Sequence, residues 1–525
     1  MACREISRRG PNHKSQRLRY GSDSLLNLIV MPHKLLSKTS PQVGTGKRDR
    51  PAGTLIHILD EHSLLNIFSL YRPLILDETI DGGKWDRERW WYTLVHVCRR
   101  WRYLVLQSPS YLRLSLLCTR GTPVADMLAN SPSLPLTIDH LDEYKGISTE
   151  DEKGIILALQ HHDRVRRIRL RNFIPNLQRL ILALDGEFQI LEYLLIHYKY
   201  PISAEMHDTI LNIPETFRAP NLRHLLLMGF PGFNIQIESP LLTTMTNLVT
   251  LNLDSIPASS YFHPNDLFRR ISLMPQLEII RILFSPNSNS GDAVERQLLR
   301  APITGMTHVT FPNLRWFGFT GVSAYLEALL PWVNFPLLEK LEIYFFNQPT
   351  YSIPHLQRYI SAAWNFRPNT ITLNFYVHRF DMTAQSLKAF LSMGCWDYFL
   401  DRQVASAAQV FHTLRTAFST AEHITLQYKR HSIASRFNID ANRTQWRELL
   451  GHFSKVKTIV VDDELVGQLA HSLQPGEAES PMELLPELQE LSYYGAYVSR
   501  DVFAQFIDAR QKAGHPVTDP LLSER

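Results

Sequence analysis

Three short stretches carry residue types that could do chemistry. His161-His162-Asp163 sets two imidazoles beside a carboxylate, "VVDDELVG" aligns Asp462, Asp463 and Glu464, and "LALDGEF" from Leu182 places Asp185 next to Gly186 and Glu187. A histidine metal pair needs both rings on one face, as at i and i+4. Adjacent rings diverge, so the histidine pair reads as a solvated loop. A hard cation takes roughly six to eight oxygen ligands, more than the run at 462–464 supplies. That run reads instead as the first turn of a helix, where the helix dipole favours acidic residues. "DGE" lacks the repeated acidic positions of a calcium loop, and Gly186 reads as the stop of a helix beginning near Asn176. Cys3, Cys98, Cys118 and Cys395 have no metal-ligand or redox spacing. A phosphate-cradling glycine loop and a Gly-x-Ser-x-Gly elbow are both missing. The expectation is a non-enzymatic chain with no catalytic, cofactor-binding or metal residues, and no cofactor.

Charge is placed unevenly. Residues 1–50 hold eleven Lys and Arg against three Asp and Glu, in a chain of net charge +4. Residues 1–53 are polar and basic and read as a disordered tail, since they cannot bury enough apolar area to offset ordering entropy. "RVRRIRLRN" holds five arginines between Arg164 and Arg171. In a strand, Arg167, Arg169 and Arg171 share the outward face while Ile168 and Leu170 point inward. One basic patch is not the groove-length stripe of a nucleic-acid binder, which argues against that partner. No apolar run reaches the ~18 residues of a membrane span, and few cysteines at this size fit a reducing compartment. The chain is therefore expected to be soluble, intracellular (cytoplasmic and/or nuclear) and not a membrane partner.

The elements that position these residues show as repetition. "NLRHLLL" from Asn221 has the form L-x-x-L-x-L, and it recurs as "NLVTLNL" from Asn247, "QLEIIRI" from Gln276, "NLRWFGF" from Asn313 and "LLEKLEI" from Leu337. Weaker copies extend the series, giving the anchors Leu136, Ile168, Leu194, Leu225, Leu251, Ile280, Phe317, Leu341, Ile371, Ile424, Ile459 and Leu491. Most gaps lie in the twenties and thirties, the mark of a solenoid. The gap of 53 between Ile371 and Ile424 has room for a degenerate repeat near Cys395. Helical segments between strands are expected at "TEDEKGIILALQHHD", at "SLKAFLSMGCWDYFL" and at "SYFHPNDLFRRISLMP", the last capped by Asn265 or Asp266 and stopped by Pro275.

Each unit is thus a strand with a helical return, and the fold class is α/β, parallel strands in an irregular solenoid. The L-x-L pair faces a shared core and the residues between face outward. The outward set offers candidates for a protein-binding surface: Arg169, Arg281, Trp316, Glu342, Tyr344, Asn374, Gln427, Asp462 and Tyr494. Aromatics and arginines are the usual anchors of such surfaces.

Before the repeats, "DEHSLLNIFSLYRP" sets Leu64, Ile67, Phe68 and Tyr71 on one helical face, ended by Pro73. A second helix is expected over about Asp86 to Gln107, with Trp90, Leu94, Val97, Trp101 and Leu104 along one stripe and Trp91, Val95, Cys98 and Arg102 beside it. "LILDETIDGGKWD" between them reads as a loop.

The repeat string resembles leucine-rich repeats, with irregular lengths and no asparagine ladder after L-x-L. The segment from about Thr54 to Leu117 resembles an F-box, particularly those of long, repeat-bearing fungal proteins. "LLNIF" at 64–68, "LVHVCRRWRYLV" at 94–105 and "SPSYLRLSLL" at 108–117 carry the likeness. The usual Leu-Pro start is absent, an insert with Gly82 and Gly83 divides the halves, and Tyr111 stands where tryptophan is common. The resemblance implies a non-enzymatic substrate adaptor. The F-box would dock a Skp-type adaptor, and through it a cullin ubiquitin ligase, while the repeats hold an unidentified protein target. It also implies docking residues Leu64, Leu65, Ile67, Phe68, Leu94, Val97, Cys98, Trp101 and Leu104, divided in an unresolved way between interior and adaptor groove. The alternative is a repeat scaffold with a degenerate F-box and no ligase role. The expected organisation is a basic tail at 1–53, a helical domain at 54–118, repeats at 119–517 and a tail at 518–525.

Overall fold

The computed structural model describes residues 58–71, 90–141, 147–172, 174–198, 210–229, 232–257, 260–285, 307–346, 352–377, 379–386, 389–397, 399–429, 443–474, 484–494 and 502–518. The basic tail, the insert with Gly82 and Gly83, residues 86–89 of the expected second helix and the last residues of the chain lie outside these. Two compact units form, Met1–Leu136 with Ser148–Ala158, and Thr137–Ile147 with Leu159–Arg525. The first therefore runs past the boundary expected at 118.

The first unit contains α1 (Glu61–Tyr71), α2 (Trp90–Val95), α3 (Arg99–Gln107), α4 (Pro109–Leu112), β1 (Leu116–Cys118), α5 (Val124–Asn130) and α6 (Thr149–Leu159, all but its last residue). Asp60 caps α1: its carboxylate accepts from the Ser63 amide at 2.7 Å and from the Ser63 hydroxyl at 3.1 Å. These bonds hold the Asp60 carboxyl below its ordinary range. Leu64 and Phe68, one turn apart, are buried. The Phe68 ring meets Trp101 of α3 edge-on at 4.7 Å.

The expected single helix over 86–107 is two helices. Cys98 is extended, with φ −159°, and heads α3, while Arg102 Nε donates to the Val95 carbonyl at 3.0 Å and closes the end of α2. Pro109 opens α4, and Arg113, at φ 51°, ends it in the left-handed region. The Asp151 carboxylate accepts from the Gly121 amide at 2.7 Å and the Ser148 hydroxyl at 2.8 Å, fixing the start of α6.

The second unit holds, in chain order, β2 (Leu136–His140, all but its first residue), β3 (Val165–Asn172), β4 (Tyr193–Tyr198), β5 (Leu211–Asn212), β6 (His224–Met228), β7 (Phe233–Asn234), β8 (Thr250–Ile256), β9 (Ile279–Phe284), β10 (Val309–Thr310), β11 (Trp316–Gly321), β12 (Val333–Asn334), β13 (Lys340–Phe345), β14 (Thr370–Tyr376), β15 (Arg379–Gln385), β16 (Phe390–Trp396), β17 (His423–Lys429), β18 (Thr458–Asp462) and β19 (Glu490–Tyr494). The main sheet runs β2-β3-β4-β6-β8-β9-β11-β13-β16-β15-β14-β17-β18-β19, and β5–β7 and β10–β12 pair separately. Helical returns such as Ile174–Leu182, Pro264–Ile271, Leu400–Thr413 and Asp463–Leu473 alternate with the strands. Prolines open several of them, at Pro240, Pro264 and Pro354; proline's fixed φ and missing N–H suit a first helical position.

The anchors pair with one another. Ile168, Leu194, Leu225, Leu251, Ile280, Phe317 and Leu341 are cross-strand partners in sequence, as are Ile371, Ile424, Ile459 and Leu491. All are buried. Two residues before each anchor, the main chain makes the first bond to the next strand, as from Glu192 N to Arg166 O at 2.8 Å and Lys457 N to Glu422 O at 2.8 Å. Opposite charges often face each other there: Arg166–Glu192 at 3.8 Å, Arg315–Glu339, and Lys457–Glu422 at 3.0 Å.

The long gap holds a correction. The segment expected to be helical from Ser386 contains strand β16, with Leu391, Met393 and Cys395 buried at every second position. β15 runs antiparallel between β14 and β16, so Leu341 pairs with Leu391 rather than Ile371. Phe380, Met382 and Ala384 of β15 face the same core. The helix at Pro264 is capped by His263, whose ring nitrogen accepts from the Asn265 amide at 3.3 Å, rather than by Asn265 or Asp266.

Candidate protein-interaction surfaces

Strand alternation turns a second row of side chains away from the helices. Its centre is Glu342, which lies 2.8 Å from Lys340 Nζ and 3.7 Å from Arg281 Nε and accepts from Trp316 Nε1 at 3.2 Å. The Trp316 indole also lies under two cations, Lys340 at 3.7 Å and Arg281 at 5.1 Å. Gly318 makes this possible, because a Cβ there would stand 2.9 Å from Arg281 Cγ. Three of the nine sequence candidates thus form one half-buried network with Lys340.

Further along, the Arg379 guanidinium lies over Tyr376 at 4.9 Å, Trp396 at 5.5 Å and Tyr344 at 5.6 Å, with Nε 3.1 Å from Asp381. Burial pushes the Asp381 carboxyl up, and Arg379 opposes it. Tyr344 shares a hydrogen bond with Ser392 at 2.9 Å, and burial with nearby Asp381 pushes its phenol up to about 12. Gly394 leaves room for the Tyr344 ring, since a Cβ there would lie 2.3 Å from the Phe380 carbonyl and 2.9 Å from the ring.

Next to this lies a row of oxygen-bearing side chains. Asp381 pairs with Asn374, and Asn374 with Gln427. One residue beyond the Leu426–Val461 pair, Gln427 reaches the level of Asp462. Asn374 is 6% exposed and its Oδ1 has no hydrogen-bond partner; a buried acceptor left this way costs roughly 1–3 kcal/mol. Asp462 accepts from the Tyr428 amide at 3.2 Å, yet burial and neighbouring Asp463 push its carboxyl up.

The other candidates fall out differently. Arg169 is tied to buried Asp139 at 2.9 Å, Arg167 lies over the Tyr193 ring at 4.9 Å, and the side chain of Tyr494 lies outside the described residues. His162, half-buried in the turn before β3, also packs its ring on Phe188 at 4.6 Å. Asp463 and Glu464 do form the first turn of a helix. Among the described residues, no group of three or more His, Cys, Asp or Glu is placed to hold a metal ion, and no helix is long and apolar enough to cross a membrane.

The helical module of the first unit presents a second kind of surface. The structure divides the expected docking residues: Leu64, Phe68, Leu94 and Leu104 are interior, Leu65, Cys98 and Trp101 are half-buried, and Ile67 and Val97 are exposed. The nine thus divide between interior and surface, and the turn at Cys98 breaks the second helix's stripe. Of the large apolar side chains exposed among the described residues, Ile58, Ile67, Leu70, Tyr71, Val97, Tyr103 and Tyr111 fall here, against four spread over the rest of the chain. Leu70, 85% exposed, was missed from sequence because it falls off the Leu64–Phe68 stripe.

Strands in register, parallel except for the inserted antiparallel β15, with helical returns define the class: an irregular leucine-rich-repeat-like solenoid preceded by a small helical module. No family profile matches the chain, and no curated protein does. Among solved structures, a leucine-rich repeat-containing protein, LegL7 from Legionella pneumophila, is similar at 10% identity over 77% of this chain and 99% of that chain, with a TM-score of 0.23.

Proposed function

We propose that the chain is a non-enzymatic adaptor, whose helical module docks a Skp-type subunit of a cullin ubiquitin ligase and whose open sheet face holds a protein target. One observation carries this reading: apolar side chains in water are concentrated on residues 58–111, on a module whose Arg100 and Arg102 are turned inward to main-chain carbonyls. Such a concentration of exposed apolar residues supports an interaction site, and a domain this small has little core of its own and gains from a partner. The likeness of "LLNIF" and "VCRRWR" to an F-box names the partner class. The mechanism is proximity, in which holding the target raises its effective concentration beside the ligase. Coexpression with a Skp-family protein tests it: wild type co-purifies, and Ile67→Asp with Leu70→Asp does not, while both keep the same circular dichroism. Failure of wild type to co-purify leaves the repeat scaffold without a ligase role as the reading.

A further inference from the structure

We propose that the Asn374–Gln427–Asp462 row on the open face of β14, β17 and β18 binds an arginine side chain presented by a protein partner. The proposal rests on the reading that this face holds a protein target, and it names what the face recognises.

The row is built rather than incidental. Leu373 and Phe375 are fully buried in the core, so alternation turns Asn374 to the open face, between Asp381 and Gln427. Its Oδ1 is buried and unpartnered, and a buried polar atom left unpaired in a folded protein calls for a reason. Acceptors dominate the row: an amide oxygen at Asn374, another at Gln427, and the carboxylate of Asp462. Adjacent strands set them about 4.8 Å apart. Burial and the neighbouring Asp463 carboxylate push the Asp462 carboxyl up, opposed by the main-chain amides of Tyr428 and Asp463.

A guanidinium answers this arrangement best. It carries five N–H donors in a planar fork and no acceptor, so it can serve neighbouring oxygens at once. The protein already shows the chemistry one step away, where Arg379 lies on the Tyr376 ring and 3.1 Å from Asp381. Lys429, cross-strand from Tyr376 and exposed, borders the row and sets a cation against the incoming one. The site is thus expected to be weak alone and to act as one contact within a larger interface.

The test uses the full chain and fluorescein-labelled ten-residue Gly/Ser peptides with two central arginines, lysines or citrullines, read by anisotropy. Arginine is expected to bind about tenfold tighter than citrulline, since only the charge and donor count change. Asp462→Asn is expected to weaken arginine binding by about fivefold and Lys429→Glu to strengthen it about threefold, opposite shifts that general destabilisation would not give. Gln427→Leu supplies a third variant that alters no charge and should also weaken binding. Equal binding of arginine and citrulline, no binding up to about 1 mM, or identical affinity in all variants overturns the proposal. Skp association of the same wild-type protein separates the two readings: its absence with arginine binding intact removes only the ligase role.

Discussion

The helical module and the sheet face solve opposite problems. On the module, two arginines are spent on main-chain carbonyls, Arg100 on that of Leu59 at 2.5 Å and Arg102 on that of Val95, while Ile67, Leu70 and Val97 stand in water. On the sheet, apolar anchors are fully interior and the outward row is charged, aromatic and largely cross-linked to itself. An apolar patch gains most from losing water against one fitted partner, whereas charged and aromatic rows discriminate among partners through electrostatic complementarity. The difference suits one constant partner for the module and a selected one for the sheet.

Substitutions can break this contrast. The largest effect is expected in the interiors. Trp446→Ala, whose indole is fully buried against Phe375 at 5.6 Å, should cost ~3–5 kcal/mol of stability in urea unfolding, as should Phe68→Ala within the module. Ile67→Asp and Leu70→Asp should instead leave stability within ~0.5 kcal/mol and cost about 2 kcal/mol or more in partner binding, measured by titration calorimetry. A stability loss as large as that of Phe68→Ala would erase the distinction between core and docking face.

On the sheet, Gly394→Ala should cost about 1–3 kcal/mol by driving a Cβ into the Phe380 carbonyl and against the Tyr344 ring. Reversing Glu339 to Lys beside Arg315 should cost no more than about 1 kcal/mol, because the pair is exposed and screened. Smallest, Asp254→Asn should stabilise at neutral pH. Burial raises the Asp254 carboxyl, opposed mainly by Arg281, so the folded state loses stability as pH rises from the unfolded value of 3.8 through the raised one. The gain should therefore vanish in denaturation measured below that window; a gain that persists there would show that charge burial is not its cause.

The repeat anchors were legible because a strand core repeats the same residue types at the same register, and each anchor found its neighbour. β15 was not legible. "RFDMTAQ" alternates Phe380, Met382 and Ala384 toward the core but lacks the L-x-x-L lead-in, and its apolar sequel at 390–396 mimics a helix until the period-two burial is seen. The break at Cys98 was hidden for a different reason. Neither proline nor glycine marks it, and what ends α2 is a side chain seven residues on, Arg102, reaching back to a carbonyl. Of the outward candidates, Asn374, Gln427 and Asp462 came together in one row, as did Arg281, Trp316 and Glu342. Asp381 and Arg379 were missed because they sit on the unread strand. The Skp-docking list mixed core and surface, since helical spacing alone does not say which side of a helix a small module keeps.

Sedimentation velocity of the full chain mixed with a purified Skp-family protein tests the central claim most directly. The account predicts a one-to-one complex at micromolar concentration with wild type and separate species with the Ile67→Asp, Leu70→Asp variant; two unassociated species with the wild-type chain would contradict it.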